Sequence, residues 1–402
     1  MSSTHKGLAA FCIPLLTLLI LFTGCEAPGS VGGDFVDKSE LTFDTLSISN
    51  IQPQSYNGYT GRLTFVTMGN YSDPVFGDIE ARALLKPTRS TSMPEGELLD
   101  SDEYSMQLQL VMDSLSTSGD TLSPANYSVY EVTSQWNGST FRLDSELSYN
   151  ETNLVGSFSI TNEDTVTVDL SDEWKNTFAG YLQNDAPDAD SVYQYEFRGL
   201  ALVADDGAGK LSFPRMASSR FLAINTEDPD TTNFSVRDWA YNLNRTGETT
   251  QSDVSALHNT VEGMLLLNIE GLIEEFEDNN LIRAEIVFYE AIDELEGLPA
   301  NHVRRTVNSI GMDIGVEEDP AYDFQFGALE ATGSRNSSDG SFRINITNYI
   351  NNTIYGTEDR TDLYIGIGSN TGDLKSALIY NQNAPENLLP KLIITSLTDD
   401  EE

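Results

Sequence analysis

The amino-acid sequence predicts an all-β protein made of two tandem jelly-roll-like β-sandwich domains with one or two short helices. Short apolar runs bounded by Asn, Asp, Gly and Ser recur along the chain without long helical stretches between them, a pattern typical of sandwiches. The length of 402 residues favours two domains. The two cysteines, Cys12 and Cys25, both precede the first predicted strand, so each domain must rest on its hydrophobic core and not on disulfides.

The N-terminus has the pattern of a secretory signal. A lysine is followed by an apolar run over residues 8–22, which is too short and too interrupted for a comfortable bilayer span. Small residues ending in Gly24 then precede Cys25, and this arrangement resembles the lipobox of bacterial lipoproteins. We therefore expect cleavage between Gly24 and Cys25 to remove residues 1–24, and acylation of Cys25 to anchor the chain in a membrane. Residues 25–40 then form a flexible tether.

The first domain is predicted over residues 41–225. Its strands follow from the alternation and density of apolar side chains, which is the pattern of strands that pack on a core. They are expected at Leu41–Ile48, Gly61–Met68, Met106–Met112, Tyr127–Val132, Thr165–Leu170, Tyr193–Val203 and Arg220–Ile224. Residues 226–232 are polar, contain a proline and follow the last of these strands. We place the interdomain linker there.

The second domain is predicted over residues 233–398, and residues 399–402 form an acidic tail. The expected strands are Gly263–Ile269, Ile282–Tyr289, Phe342–Ile346, Leu363–Ile367, Ser376–Tyr380 and Lys391–Thr395. Short helices are expected at Glu270–Asp278, where apolar side chains share one face, and at Ile344–Ile354. The similar order of strands and loops in the two halves suggests an internal duplication, although unrelated sandwiches share such an order.

Several segments together resemble a family of outer-membrane-type lipoproteins of Bacteroidetes bacteria that carry a domain of unknown function. The most specific is GNYSDPVFG at Gly69–Gly77, which is similar to a G-x-Y-x-D-P-x-F-G signature. Further similar segments are Ser30–Val36, Asp44-Thr45, Glu262–Met264 and Leu281–Val287. The closing segment Ala384–Thr395 is similar to the last strand of exported jelly-roll modules, some of which bind acidic polysaccharides. The resemblance implies a place in the cell envelope and a β fold, and it implies no activity.

The charge of the chain argues against nucleic-acid binding. Sixty-three acidic and 22 basic residues give a formal net charge of −41, and a polyanion cannot displace the counterions of phosphate. Anionic lipid headgroups are equally poor partners. The acidic residues are spread along the whole chain, so we interpret them as a solvated surface, as in a salt-adapted organism.

No motif in the sequence points to an enzyme. His258 and His302 follow the signal segment without the spacing of a zinc site, and no nucleophile elbow or P-loop occurs. The glycine-rich residues 366–372 lie between two predicted strands and are interpreted as a β-hairpin. Among 63 acidic residues, spacing alone selects no pair for glycosidase chemistry. We therefore expect no catalytic residues.

Two acidic loops could hold calcium. Asp185, Asp188 and Asp190 in one loop, and Asp228 and Asp230 in the next, place oxygens at alternating positions, which suits a hard cation. Neither loop completes an EF-hand, and we favour the alternative that both are acidic surface turns. No other cofactor is expected.

The three tryptophans are the natural candidates for stacking on sugar rings. Trp136 and Trp174 each follow a predicted strand closely, which also suits a role in the core, and we favour that role for both. Trp239 is left undecided between the core and a glycan site.

The signature turn contains Asp73, Pro74, Phe76 and Gly77. A rigid proline turn that ends in glycine fixes the backbone and could serve function. We favour the structural alternative, in which Phe76 plugs the edge of the sandwich and Gly77 adopts a positive φ.

The sequence thus predicts a non-enzymatic binding or structural module, lipid-anchored in the cell envelope and most consistent with the outer membrane, on its periplasmic or outer face. Two more specific alternatives are a polysaccharide-binding surface lipoprotein and an accessory subunit of an envelope protein complex. A glycan-binding module requires exposed aromatic residues along a groove. A partner-binding subunit requires an apolar surface or an unpaired strand edge. An enzyme requires a pocket with two or more acids of perturbed pKa.

Overall fold

The computed structural model describes residues 40–89, 93, 99–227, 231–248, 251–273, 280–292, 307–314, 319–368 and 370–398. The expected signal segment, the lipidation site Cys25 and nearly all of the tether lie outside these residues, as do Asp228, Asp230 and the acidic tail. Within the described part of the chain, no helix is long and apolar enough to cross a membrane.

The strands in chain order are β1 (Glu40–Ser47), β2 (Ile51–Gln54), β3 (Met68–Asp73), β4 (Gly77–Pro87), β5 (Tyr104–Val111), β6 (Ser118–Gly119), β7 (Ala125–Val132), β8 (Tyr149–Ile160), β9 (Thr165–Leu170), β10 (Leu200–Ala204), β11 (Lys210–Ser212), β12 (Arg220–Asn225), β13 (Thr231–Thr246), β14 (Val254–His258), β15 (Met264–Asn268), β16 (Asn280–Tyr289), β17 (Ser309–Ile314), β18 (Ala331–Arg335), β19 (Ser341–Asn345), β20 (Asp362–Gly366), β21 (Ser376–Tyr380) and β22 (Lys391–Thr398). The α-helices are α1 (Asp172–Leu182), α2 (Ala189–Glu196), α3 (Glu270–Ile273), α4 (Pro320–Phe326) and α5 (Thr347–Ile354).

Strands account for 48% of the residues and helices for 15%, which confirms the predicted all-β, sandwich-like class. The clearest predicted strands are found where the apolar alternation is strongest. In β9, buried and exposed side chains alternate without a break, and in β5 every second side chain is buried. Such a strand can place one face on a core only in a single register.

Three antiparallel sheets contain these strands. An eleven-stranded sheet has the order β6-β11-β3-β4-β13-β12-β5-β9, with β10 joining β4 to β7 and β8 following β7. A nine-stranded sheet has the order β1-β22-β16-β19-β18-β17-β20-β15-β2, and β14 pairs with β21. The two large sheets differ in strand order, so the two halves of the chain do not repeat one topology.

Each large sheet has its own hydrophobic core. The larger core lies on the eleven-stranded sheet and includes Phe178, Phe221 and Phe234, all fully buried. The second lies on the nine-stranded sheet and includes Phe288 and Phe342. Burial of apolar area of this kind contributes roughly 25 cal/mol per Å² and replaces the disulfides that the sequence lacks.

Strand pairing runs across the expected division at residues 226–232. The strand β13 pairs with both β12 and β4, so residues 231–246 belong to the eleven-stranded sheet. The N-terminal strands β1 and β2 pair with β22 and β15, so they form the two edges of the second sheet. The strands β12 and β13, on either side of the polar segment, pair with each other in antiparallel orientation.

The number of helices was also predicted too low. The first missed helix, α1, begins after Ser171, whose hydroxyl accepts a hydrogen bond from the backbone N–H of Trp174 at 3.4 Å. Asp172 and Glu173 occupy its first turn, where negative charge favours the helix N-terminus. Trp174 and Phe178, four residues apart, lie on its buried face. Of the predicted helix 270–278, only α3 lies in the described residues.

Three other segments differ from the prediction. Residues 61–67 form no strand, and β3 begins only at Met68. Residues 193–196 belong to α2, because the alternating aromatic residues there also fit a helix whose buried positions are Ala189 and Tyr193. The glycine-rich residues 366–372 do not close a hairpin, since β20 pairs within the nine-stranded sheet and β21 pairs with β14.

Candidate functional site

A small apolar cluster covers the outer face of the eleven-stranded sheet. Leu84 of β4, Ala201 of β10 and Ala240 of β13 form its base, and Trp136 and Phe141 from the loop between β7 and β8 pack over them. The opposite face of the sheet packs on the main core, so the sheet is buried on both faces at this place. A cavity of about 310 Å³ opens beside this cluster.

A β-bulge in β13 supplies two of the residues that line the cavity. The register between β13 and β4 shifts between Val236, opposite Pro87, and Asp238, opposite Lys86. Val236 belongs to the main core, and so does Tyr241 further along the strand. One extra residue changes which face the following side chains occupy. Arg237 and Asp238 consequently both line the cavity.

Lys86 is the most deeply buried charged group of the cavity. Its side chain is only 4% exposed, and its ammonium lies 4.6 Å from the centroid of the Trp136 ring. Among the described residues, no carboxylate or carbonyl oxygen accepts a hydrogen bond from its Nζ. Burial lowers the pKa of Lys86 to about 8, and the positive charges of Arg198 and Arg237 act in the same direction. Asp238 attracts the ammonium and opposes the decrease in pKa.

Asp238 is already engaged by other partners. Its Oδ1 accepts a hydrogen bond from Nε of Arg62 at 3.0 Å, and its Oδ2 accepts one from the backbone N–H of Gly138 at 3.2 Å. Both oxygens of Asp238 thus have donors, and its close ion pair is with Arg62 and not with Lys86.

Arg62 reaches Asp238 from a strained backbone. Its φ is 58°, a left-handed conformation that costs a residue with a side chain about 1–2 kcal/mol. The backbone N–H of Arg62 donates to the carbonyl of Trp239 at 3.0 Å, and the indole N–H of Trp239 donates to the carbonyl of Leu63 at 2.6 Å. These bonds hold the strained residue in place at the rim of the cavity. Strain of this kind concentrates at functional sites.

The cavity carries a local excess of positive charge. Three cations line it, Arg62, Lys86 and Arg237, and Asp238 is the single carboxylate among its described lining residues. The guanidinium of Arg237 lies 5.6 Å from the centroid of the Tyr193 ring. A cationic cavity in a chain of net charge −41 is suited to an anionic ligand.

The structure brings one of the three tryptophans to this cavity. Trp136 lines it and is fixed by a hydrogen bond of 2.6 Å from its indole N–H to the carbonyl of Arg198. Trp174 is 2% exposed and stacks on Phe178 within the main core, so it has no face for a sugar. Trp239 is half-buried and packs against the same core.

The signature turn lies away from the cavity and has a structural arrangement. Oδ1 of Asp73 accepts hydrogen bonds from the backbone N–H groups of Val75 and Phe76, both at 2.9 Å. Phe76 is fully buried, and Gly77 has a φ of 78°. A Cβ at Gly77 would lie 2.2 Å from the carbonyl oxygen of Thr246, so glycine is required both for conformation and for space.

The acidic loop of the first half does not gather into a metal site. Asp185, Asp188 and Asp190 are all exposed, and Asp190 forms an ion pair of 2.7 Å with Arg89. Across the part of the chain that the structure describes, no three His, Cys, Asp or Glu side chains converge as metal ligands.

A buried serine–histidine pair resembles catalytic machinery only in composition. Nδ1 of His258 lies 2.7 Å from Oγ of Ser376, and its Nε2 lies 3.4 Å from a carboxylate oxygen of Glu248. Ser376 is fully buried, so no substrate can reach its hydroxyl. The ring of His258 instead packs edge-on against Phe76 at 5.8 Å. The pair therefore joins β14 and β21 to the signature turn.

Sequence reasoning missed the charged residues of the cavity. A lysine that follows an apolar run in ARALLKP was one available signal, because a buried lysine next to a core strand is rare. The second signal was a change of phase in β13, where the apolar positions step from Phe234 and Val236 to Trp239 and Tyr241. Arg62 had no signal in the sequence, since its left-handed conformation depends on contacts with distant residues.

Comparison with known proteins adds little to this geometry. No protein-family model matches the chain, and no curated protein matches it. Among solved structures, it is similar to a "putative secreted protein" from Parabacteroides distasonis ATCC 8503, with 10% identity, coverage of 89% of this chain and 90% of the other, and a TM-score of 0.20. It is also similar to infectious bursal disease virus Gt strain, with 12% identity, coverage of 92% and 80%, and a TM-score of 0.11. TM-scores of this size establish no shared fold.

Proposed function

We propose that this chain is a non-enzymatic, lipid-anchored protein of the cell envelope that binds an anionic ligand in the cavity around Lys86. One observation carries the proposal. Lys86 is only 4% exposed as a residue, and its ammonium faces an open cavity without a close carboxylate partner in the described residues. Burying a charge without pairing it is costly, and a bound anion would offset this cost.

The surrounding groups support the same proposal. Arg62 and Arg237 add two guanidinium groups, which bind carboxylate and sulfate oxygens with two parallel hydrogen bonds. The wall of Trp136 excludes water from one side of Lys86, and a lower local dielectric strengthens the attraction between the ammonium and an anion.

The cavity supports binding better than catalysis. Glycoside hydrolysis needs two carboxyl groups across the scissile bond, whereas Asp238 is the single carboxylate among the described residues that line the cavity. Both of its oxygens accept hydrogen bonds from Arg62 and Gly138, which suits a structural role.

Titration calorimetry of the purified protein with glucuronate, glucose 6-sulfate and glucose tests the proposed binding. We expect one or both anions to bind and glucose to bind far more weakly, because only the anions pair with Lys86. Lys86→Met should abolish the binding, while Lys391→Met, a lysine on the other large sheet, should leave it unchanged. Binding of glucose as tight as that of the anions would overturn the proposal, and so would a failure of glucuronate, glucose 6-sulfate and inorganic sulfate alike to bind.

The envelope location is tested separately at Cys25. Cells that express the chain are labelled with a radioactive fatty acid, and we expect label in the wild type and none in Cys25→Ser. Unlabelled wild-type protein that accumulates outside the membrane fraction would contradict lipidation at Cys25. It would not affect the proposal that the cavity binds an anion.

The edge strand β1 favours binding to an envelope protein as a second candidate function. It is the last strand at one end of the nine-stranded sheet, and its side chains Leu41 and Phe43 are 52% and 72% exposed. An apolar strand edge of this kind is a site for pairing with another chain. Crosslinking in intact envelopes should capture a partner at Phe43 that is lost in Phe43→Lys; an unchanged pattern would remove this candidate.

A further inference from the structure

The neutral side chains that line the cavity are suited to the hydroxyl groups of a sugar. Gln135, Asn137 and Gln194 present amides, Thr140 presents a hydroxyl, and all four are exposed. Amides and hydroxyls both donate and accept hydrogen bonds, so they can pair with hydroxyl groups in either orientation. Tyr195, more than half exposed at the rim, offers an aromatic ring beside them.

A second group of aromatic residues lies beyond the rim. Tyr59 contacts Tyr322 and Phe326 of α4, with ring centroids at 5.9 and 5.5 Å in edge-to-face arrangements. Tyr322 is 51% exposed and Phe326 is 48% exposed. We call these three residues the aromatic platform.

A network of polar bonds fixes the aromatic platform. Asp319 accepts hydrogen bonds from the hydroxyl of Tyr59 at 3.0 Å and from the guanidinium of Arg142 at 2.6 Å. It also caps α4 by accepting a bond from the backbone N–H of Tyr322. The guanidinium of Arg142 lies 4.0 Å from the centroid of the Tyr59 ring. A surface held in this way loses little conformational freedom when it binds.

The cavity and the aromatic platform are connected by two short paired segments. Arg62 and Thr140 line the cavity, and Tyr59 and Arg142 pair as an isolated antiparallel bridge. Tyr59 is three residues from Arg62, a distance of at most roughly 10 Å along an extended chain. Phe141, between Thr140 and Arg142, is buried, which leaves the residues on either side of it toward the surface. A short oligosaccharide can therefore reach from the cavity to the aromatic platform.

We infer that the ligand is an acidic oligosaccharide, with one carboxylated or sulfated unit in the cavity and the following units on the aromatic platform. This inference rests on the proposed function and deepens it. The unit in the cavity supplies the anion for Lys86, Arg62 and Arg237, and its hydroxyl groups meet the amides of the lining. The following units pack on Tyr322 and Phe326, and Arg142 supplies a further cation at the edge of the platform.

Binding of oligosaccharides of increasing length tests the inference. Galacturonate oligomers, sulfated oligosaccharides of matched length and neutral oligosaccharides are titrated into the full-length protein. We expect affinity for the uronate or the sulfated series to rise at least tenfold from the single unit to the longer oligomers. The double variant Tyr322→Ser, Phe326→Ser should bind the single unit normally and lose the gain with length. Tyr355→Ser, at an exposed tyrosine after α5 that lies outside the platform, is the control and should keep the gain.

The outcomes separate this inference from the proposed function. Lys86→Met should abolish binding at every length. If the platform variant keeps the full gain with length, the platform is not a subsite, while anion binding in the cavity stands. If small inorganic anions bind and no sugar acid does, the sugar inference is overturned. If neutral oligomers bind as tightly as acidic ones, the proposed function itself is overturned.

Discussion

The buried charge of Lys86 should destabilise the fold and at the same time serve the proposed ligand binding. Its ammonium lies beside Trp136 and near other cations, and burial together with these cations lowers its pKa. In a chain selected only for stability, an apolar side chain would occupy this position. Buried charges that destabilise a fold are commonly retained where binding needs them.

Replacement of Lys86 by methionine should therefore stabilise the protein while removing its ligand binding. Methionine fills a similar volume without a charge, so we expect the free energy of unfolding to rise by roughly 1–2 kcal/mol. Thermal unfolding and titration calorimetry measure the two effects, with Lys391→Met as the control. A destabilised Lys86→Met variant would show that the ammonium has a stabilising partner in the fold.

Two substitutions of Arg62 distinguish the cost of its backbone strain from the contribution of its charge. Glycine adopts its left-handed conformation without the cost of a Cβ, so Arg62→Gly should be more stable than Arg62→Ala by about 1 kcal/mol. Both variants should bind the anion more weakly, because both lose the guanidinium. Chemical denaturation compares the two stabilities. Equal stability would mean that the backbone relaxes when the arginine is removed.

At the scale of elements, the sequence allowed prediction of strands better than of the site. The strands β9 and β21 were predicted with their bounds, because alternation or continuous apolar character is a local property. The helix α1 was missed, although Ser171 and the acidic residues after it form a helix N-terminus. Trp136 was named as a candidate, whereas Lys86 and Arg237 were not, because the bulge that brings them together depends on pairing between distant strands.

The turn between β3 and β4 requires glycine at position 77. Gly77→Ala should lower the free energy of unfolding by about 2 kcal/mol or more, since it combines a positive φ with a clash against Thr246. Gly247→Ala is the matched control: its φ is 73°, but a Cβ there meets nothing within 4 Å. For the control, we expect the free energy of unfolding to fall by only about 1 kcal/mol. Equal losses in the two variants would exclude a contribution from the clash.

At the scale of the whole molecule, the two halves are joined by shared strands and by buried side-chain contacts. The N-terminal strands β1 and β2 lie in the sheet formed mainly by the C-terminal half, and His258 packs against Phe76 of the first half. The protein should accordingly unfold as one cooperative unit and not as two independent domains.

Protonation of His258 should weaken this junction. Burial lowers the pKa of His258 below its usual 6.5, so the folded state takes up a proton less readily than the unfolded state. Stability should fall as the pH decreases below 6.5. Asp313 acts in the opposite direction, because burial raises its pKa to about 6 and its protonation stabilises the fold. The melting temperature of wild type should therefore fall more between pH 7.5 and 5.5 than that of His258→Gln, and parallel curves would assign the pH dependence to other groups.

The net charge of −41 repels an anionic ligand at long range, and the cations of the cavity attract it at short range. Salt screens exposed charges over distances of about 8–10 Å at moderate ionic strength and affects buried pairs less. The proposed ligand site is therefore a local positive region within an acidic surface, and the surface itself disfavours other polyanions.

Proton uptake on binding tests the role of Lys86 most directly. Because burial lowers the pKa of Lys86 to about 8, part of the free protein carries Lys86 as the neutral amine at pH 8, and a bound anion should complete its protonation. Calorimetry with a galacturonate oligomer at pH 8, in buffers of different ionisation enthalpy, should report net proton uptake by the wild type. Arg62→Gly retains Lys86 and should still take up a proton where it binds. Binding without proton uptake would contradict the proposal that the bound anion pairs with the ammonium of Lys86.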